Sequence, residues 1–114
     1  MKIDKNQILE ELKKLQNTLV IVEGKNDKKA LEKFGLKNIL MLEGNAIFEV
    51  IEKVDSEVAI LTDLDNKGKE LYKRLQSMLT KRGVKINNRL RHLLLRSNLK
   101  VIEGIDTFLK SKAL

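Results

Sequence analysis

Residues 18–27 read TLVIVEGKND. The first part of this stretch, TLVIV, is short, β-branched and apolar without alternation, the pattern of a strand buried on both faces. It then meets a carboxylate, Glu23, and a glycine, Gly24. Beyond them, residues 26–34 place Ala30, Leu31 and Phe34 at helical spacing and stop at Gly35, so a helix follows the strand at once. A doubly buried strand that runs straight into a helix is the first half of a βαβ unit, and such units build parallel sheets covered by helices.

The rest of the chain repeats the alternation. NILMLE (38–43) and EVAILTD (57–63) are two more apolar runs, each followed by a helical pattern, the first through Ala46, Ile47, Val50 and Val54. The strongest helix spans 67–82, with Leu71, Leu75, Met78 and Leu79 on one face, basic residues on the other and Gly83 at its end. VKI (84–86) reads as a short strand, 88–95 as a helix, LKVIE (99–103) as a last strand and 104–112 as a closing helix. Ahead of the first strand, 4–17 reads as a helix: Asp4 and Gln7 have capping-box spacing, and Ile8, Leu12 and Leu15 share a face. With no proline, repeat or linker in 114 residues, one domain over 1–114 is expected.

The composition narrows the chemistry. Cysteine is absent, which removes thiol nucleophiles, disulfides and thiolate metal sites; one histidine, His92, is too few for a histidine-rich zinc site. No stretch approaches the roughly 20 apolar residues of a membrane span, and no signal-peptide core is visible, so a cytoplasmic protein without a membrane partner is expected. The formal charge of +7 is unevenly spread: residues 1–65 hold 10 Lys/Arg against 13 Asp/Glu, and residues 66–114 hold 13 against 3. A basic half of that size suits a polyanion such as nucleic acid, although solvated lysines on helix faces give the same count.

In open parallel sheets, ligands gather outside the carboxyl ends of the strands. Those positions hold Glu23-Gly24 with Asp27, and Asp63-Leu64-Asp65 with Gly68. If the two strands are neighbours, Glu23, Asp63 and Asp65 share one site. Two bare carboxylates about 4 Å apart repel by roughly 4 kcal/mol at an effective dielectric near 20, so a positive group belongs there, either lysines or a hard dication. Oxygen donors without nitrogen or sulfur suit Mg2+, with Mn2+ as a substitute. Gly24 and Gly68 would let the backbone turn or let a phosphate come close.

The pairing of VEGKND (22–27) with LTDLDNKG (61–68) resembles the Toprim domain of topoisomerases, bacterial primases, recombination proteins and the ribonuclease that matures 5S ribosomal RNA. The resemblance covers about residues 18–103 and is closest to small stand-alone Toprim proteins and to the N-terminal half of that ribonuclease. It implies an α/β fold, a Toprim-like, mostly parallel sheet of about four strands sandwiched between helices, with a glutamate and a D-x-D around magnesium. On these residues it implies Glu23 as general acid/base and metal ligand, Asp63 and Asp65 as metal ligands, and Asp27 supporting the turn or the metal's outer shell. The implied activity is Mg2+-dependent phosphodiester chemistry on nucleic acid, with hydrolysis of structured RNA favoured over DNA. The alternative is a non-catalytic, metal-containing binding or adaptor module that works with a protein partner. The only tyrosine, Tyr72, lies within the amphipathic helix and reads as a packing residue rather than a topoisomerase-type nucleophile.

The basic half offers a surface for the phosphates. Arg89, His92 and Arg96 recur at helical spacing, and Lys67, Lys69, Lys73 and Arg74 follow the D-x-D, with Lys81, Arg82 and Lys85 beyond. His92 itself reads as a surface residue. With three Phe and one Tyr there is little for base stacking, which argues against a dedicated single-strand binder.

Overall fold

The computed structural model describes residues 4–111. Four strands, β1 (Leu19–Val22), β2 (Ile39–Met41), β3 (Glu57–Ile60) and β4 (Lys85–Ile86), form one sheet in the order β2-β1-β3-β4. Every pairing is parallel; β1 and β3 are neighbours, with Val20 opposite Ala59 and Ile21 opposite Ile60. The four-stranded α/β sheet expected from the sequence is therefore the observed one.

Strand pleating divides the core into two layers. Val20 and Val22 of β1, with Ala59 and Leu61, face a cluster built from α1 (Lys5–Lys14), α2 (Lys25–Glu32), α5 (Arg89–Leu95) and α6 (Ile105–Lys110). Ile21 of β1, with Val58 and Ile60, faces a second cluster built from α3 (Ile47–Glu52) and α4 (Asn66–Lys81). Both faces of both central strands are thus dry, which is why these segments lack the polar alternation of a half-exposed sheet. The turns that end α2 and α4 use Gly35 and Gly83, at φ +89° and +81°, a region where a Cβ is strained.

The order of the strands positions the site. After β1 the chain crosses to β2 through α2 on the first face; after β3 it crosses to β4 through α4 on the second. Two adjacent strands whose following helices depart to opposite faces leave a crevice at their carboxyl ends, the topological switch point of an open sheet. Glu23 leaves β1 there, and Asp63 and Asp65 leave β3 there.

The expected fifth strand at 99–103 does not form. The run is apolar because Leu99 and Ile102 are buried in the first cluster, not because it joins the sheet. Its Lys100 carbonyl accepts from the Leu64 N–H at 2.8 Å, and the Ile102 N–H turns to the Asp63 carboxylate at 2.9 Å. With that donor taken, the chain closes into a 3-10 turn (Ile102–Gly104) and then α6. The Asp4–Gln7 capping box is also absent: the Asp4 side chain accepts from Asn6 N–H at 2.9 Å. The expected helix end at residue 112 lies outside the described residues. No helix among the described residues is long and apolar enough to cross a membrane.

Candidate functional site

Asp63 is the pivot of the crevice. Its N–H donates to Glu23 Oε2 at 2.8 Å, joining the exits of β1 and β3. Its Oδ1 accepts from the Ile102 N–H, and its carbonyl accepts from Arg91 Nη2 at 3.2 Å. Asp65, two residues on, is exposed and caps α4: Oδ1 accepts from the Gly68 N–H at 2.8 Å. The D-x-D therefore divides its work, one aspartate fixing the strand exit and the other starting the helix.

Gly68 is required by packing rather than by an unusual φ. A Cβ at this position would stand 2.0 Å from the Asp63 carbonyl oxygen, so only glycine lets the first turn of α4 lie against the β3 exit. The contact is secured by the buried Thr62, whose hydroxyl donates to the Gly68 carbonyl at 2.7 Å. The close approach expected at this glycine is thus made by the protein's own backbone. Gly24 is extended and caps α2, its N–H donating to Asp27 Oδ2 at 3.0 Å. The Glu43 carboxylate closes this turn from β2, accepting from the Lys25 N–H at 3.1 Å.

Asp27 is 8 % exposed, and its pKa is raised from 3.8 to about 6. Burial is the main cause; the Gly24 N–H opposes it, while the charges of Asp63, Glu23 and Glu103 add to it. The sequence-level reading of Asp27 as a turn-supporting residue matches the bond to Gly24.

Glu23, Asp63 and Asp65 each spend one carboxylate oxygen on a backbone N–H and keep the other free of any protein donor among the described residues. The ion pairs among those residues lie elsewhere, at Glu11 and Asp106, so none of the described lysines pairs with Glu23, Asp63 or Asp65. The donor set, hard carboxylate oxygens, fits Mg2+ or Mn2+ in chemistry. The side chains are not yet gathered around one point: among the described residues no group of three or more His, Cys, Asp or Glu is placed to hold a metal ion. Glu23 and Asp63 are joined by a hydrogen bond, while Asp65 is bonded to the start of α4.

The expected basic surface is split. Lys67, Lys69, Lys73 and Arg74 are exposed on α4, which packs on the second face, and the nearest of them follow Asp65 directly. Arg89 and Arg96, also exposed, belong to the α5 end of the first face, and Arg89 Nε lies 3.8 Å from Glu11 Oε1. A groove of about 570 Å³, lined by Asn17, Lys37, Asn38, Asp55 and Ser56, lies at the amino ends of the strands, away from the acids.

Arg91 was not singled out from the sequence. It is 2 % exposed, lies beneath the β3 exit and bonds the Thr62 carbonyl through Nη1 at 2.8 Å. The signal was available: on a helical wheel it falls about 60° from Leu94, on the flank of the buried arc. Tyr72, half-buried as expected of a packing residue, sets its ring 4.4 Å from the Arg91 guanidinium carbon.

Comparison with known proteins agrees with this architecture. The Toprim domain model matches residues 18–95. A UPF0292 protein of Methanocaldococcus jannaschii is 30 % identical over 93 % of this chain and 90 % of its own length. One from Pyrococcus abyssi is 40 % identical over 76 % of this chain and 68 % of its own. Among solved structures, a putative protein from Aquifex aeolicus superposes with a TM-score of 0.82 at 32 % identity, covering 90 % of this chain and 99 % of that one. The chain belongs to the Toprim domain family and, within it, to the UPF0292 proteins.

Proposed function

We propose that this protein is a magnesium-dependent nuclease that hydrolyses phosphodiesters of structured RNA. The observation that carries the reading is the Glu23–Asp63 link: a carboxylate and a D-x-D meet across adjacent strands at the switch point, with no ion pair to either among the described residues. Glu23, Asp63 and Asp65 would hold Mg2+, or Mn2+ in its place. When bound, the metal supplies Lewis-acid polarisation of a phosphoryl oxygen.

The protein's own groups supply the rest. Glu23 Oε2 is held by the Asp63 N–H, so Oε1 is the oxygen left to carry a proton to or from the reacting oxygen. Lys67 and Lys69, on the first turn of α4 after Asp65, would meet a phosphate backbone entering the crevice, with Lys73 and Arg74 one turn further on. RNA is preferred over DNA here by resemblance to the 5S ribosomal RNA maturation ribonuclease, which pairs the same two motifs.

A second reading has its own support. Asp65 caps its helix, and among the described residues no three acids are gathered to hold a metal ion. That arrangement suits a nucleic-acid-binding adaptor that works beside a protein partner and has no turnover of its own. Cleavage of end-labelled structured RNA and duplex DNA, with Mg2+ or Mn2+, beside EDTA and Glu23→Gln controls, separates the two. The nuclease reading expects metal-dependent cutting of RNA that is lost in Glu23→Gln. Salt-sensitive binding with no cutting of either substrate would replace it with the adaptor.

A further inference from the structure

We propose that Arg91 is a positioning residue of the acidic site, setting the exit of β3 so that Asp63 meets Glu23. The case starts from an apparent cost. A guanidinium that is 2 % exposed has lost most of its hydration, and no carboxylate lies within ion-pairing distance of it among the described residues. Such a charge is tolerated only where fixed dipoles replace the water.

Here the dipoles are the carbonyls of one strand end. Nη1 donates to Thr62 at 2.8 Å and reaches Ile60 at 3.4 Å, while Nη2 donates to Asp63 at 3.2 Å. The Tyr72 ring covers the guanidinium at 4.4 Å, and the Tyr72 hydroxyl in turn donates to Asn88, the residue that caps α5. The planar fork therefore spans Ile60 to Asp63, the segment where β3 stops pairing and the D-x-D begins. Glu23 and Asp63 also interact electrostatically with this charge, so both acids feel a fixed cation from α5.

Lysine cannot take this role. It keeps the charge, but a single ammonium has no planar fork to match the carbonyls of Ile60, Thr62 and Asp63. Groups that orient metal-binding side chains typically change affinity 10- to 100-fold when altered. The consequence for metal rests on the reading above; the geometry does not.

The test uses the full chain with Arg91→Lys and Arg91→Met, checked by circular dichroism and urea unfolding. Two readouts follow, the Mn2+ isotherm by electron paramagnetic resonance and hydrogen exchange of the Asp63 amide relative to Val20 and Ile21 in β1. Expected for Arg91→Lys is a Mn2+ dissociation constant raised at least about 10-fold, with Asp63 exchange accelerated more than that of β1. A purely structural role would accelerate all three amides together. If the wild type takes up Mn2+ and Arg91→Lys takes it up equally well, the proposal is overturned. If the wild type takes up none, the metal reading fails by itself, and Asp63 exchange decides: selective acceleration supports positioning, an unchanged ratio refutes it. Should Arg91→Met not fold, Arg91→Lys alone carries both readouts.

Discussion

Replacing Asp27 by Asn tests whether the crevice is as dry and as negative as the structure has it. Asn has the same shape and keeps an oxygen to accept the Gly24 N–H, so the change removes the titration at the cost of one amide donor. In the native state burial, with the neighbouring acids, lifts Asp27 from 3.8 to about 6. A displacement of that size corresponds to about 3 kcal/mol between protonated and ionised forms. The sign follows from linkage: the folded protein binds the proton more tightly than the unfolded chain, so the stabilisation is complete below about pH 3.8 and is lost as pH rises through about 6. Between pH 4.5 and 7.5 the wild type should lose about 2 kcal/mol through this one carboxyl, and Asp27→Asn should lose none of it. At pH 7.5 the variant should be the more stable by about 1 to 2 kcal/mol, after allowing for a poorly partnered amide N–H. Urea unfolding of both proteins across that range, in EDTA so that no cation lowers the carboxyl, gives the difference directly. Stability curves that run parallel would refute the buried-carboxyl argument, as would a variant less stable than wild type at neutral pH.

Gly68→Ala should destabilise the fold by about 2 to 3 kcal/mol, because the added Cβ and the Asp63 carbonyl cannot occupy positions 2.0 Å apart; a urea midpoint close to wild type would show that α4 is free to shift. For nucleic acid, Lys67→Ala with Lys69→Ala should lower the log-log salt slope of RNA binding by about 2, one phosphate contact each. Arg89→Ala, already engaged by Glu11, should change the slope by less than the double lysine variant in the same filter-binding titration. Equal effects would mean that the phosphate path crosses both faces of the sheet.

What the sequence made legible follows from which interactions are local. Strands β1 and β3 could be read because burial on both faces leaves an apolar run with no alternation, and the carboxylates could be placed because strand exits in parallel sheets are where ligands go. The run at 99–103 misled for a related reason. Leu99 and Ile102 are as buried as strand residues, but their neighbours are α-helices, and the donor that would have extended a ladder is claimed by Asp63, 39 positions away. The basic residues after Asp65 looked continuous in one dimension, but α4 and α5 pack into different layers of the core.

Arg91 shows the limit most clearly and also explains the site. Its partners are backbone carbonyls 28 to 31 residues away, and a carbonyl leaves no mark on the sequence. Yet the same anonymity makes the arrangement robust: the carbonyls of Ile60, Thr62 and Asp63 are present whatever side chains those positions carry. Fixing a strand exit through its backbone lightens the structural task left to the side chains of Asp63 and Asp65. Asp63 then needs only one of its oxygens for Ile102, and Asp65 only one for its cap. The crevice therefore keeps an uncommitted oxygen on each of three acids, Glu23 included, above a cation that holds their scaffold without pairing with them.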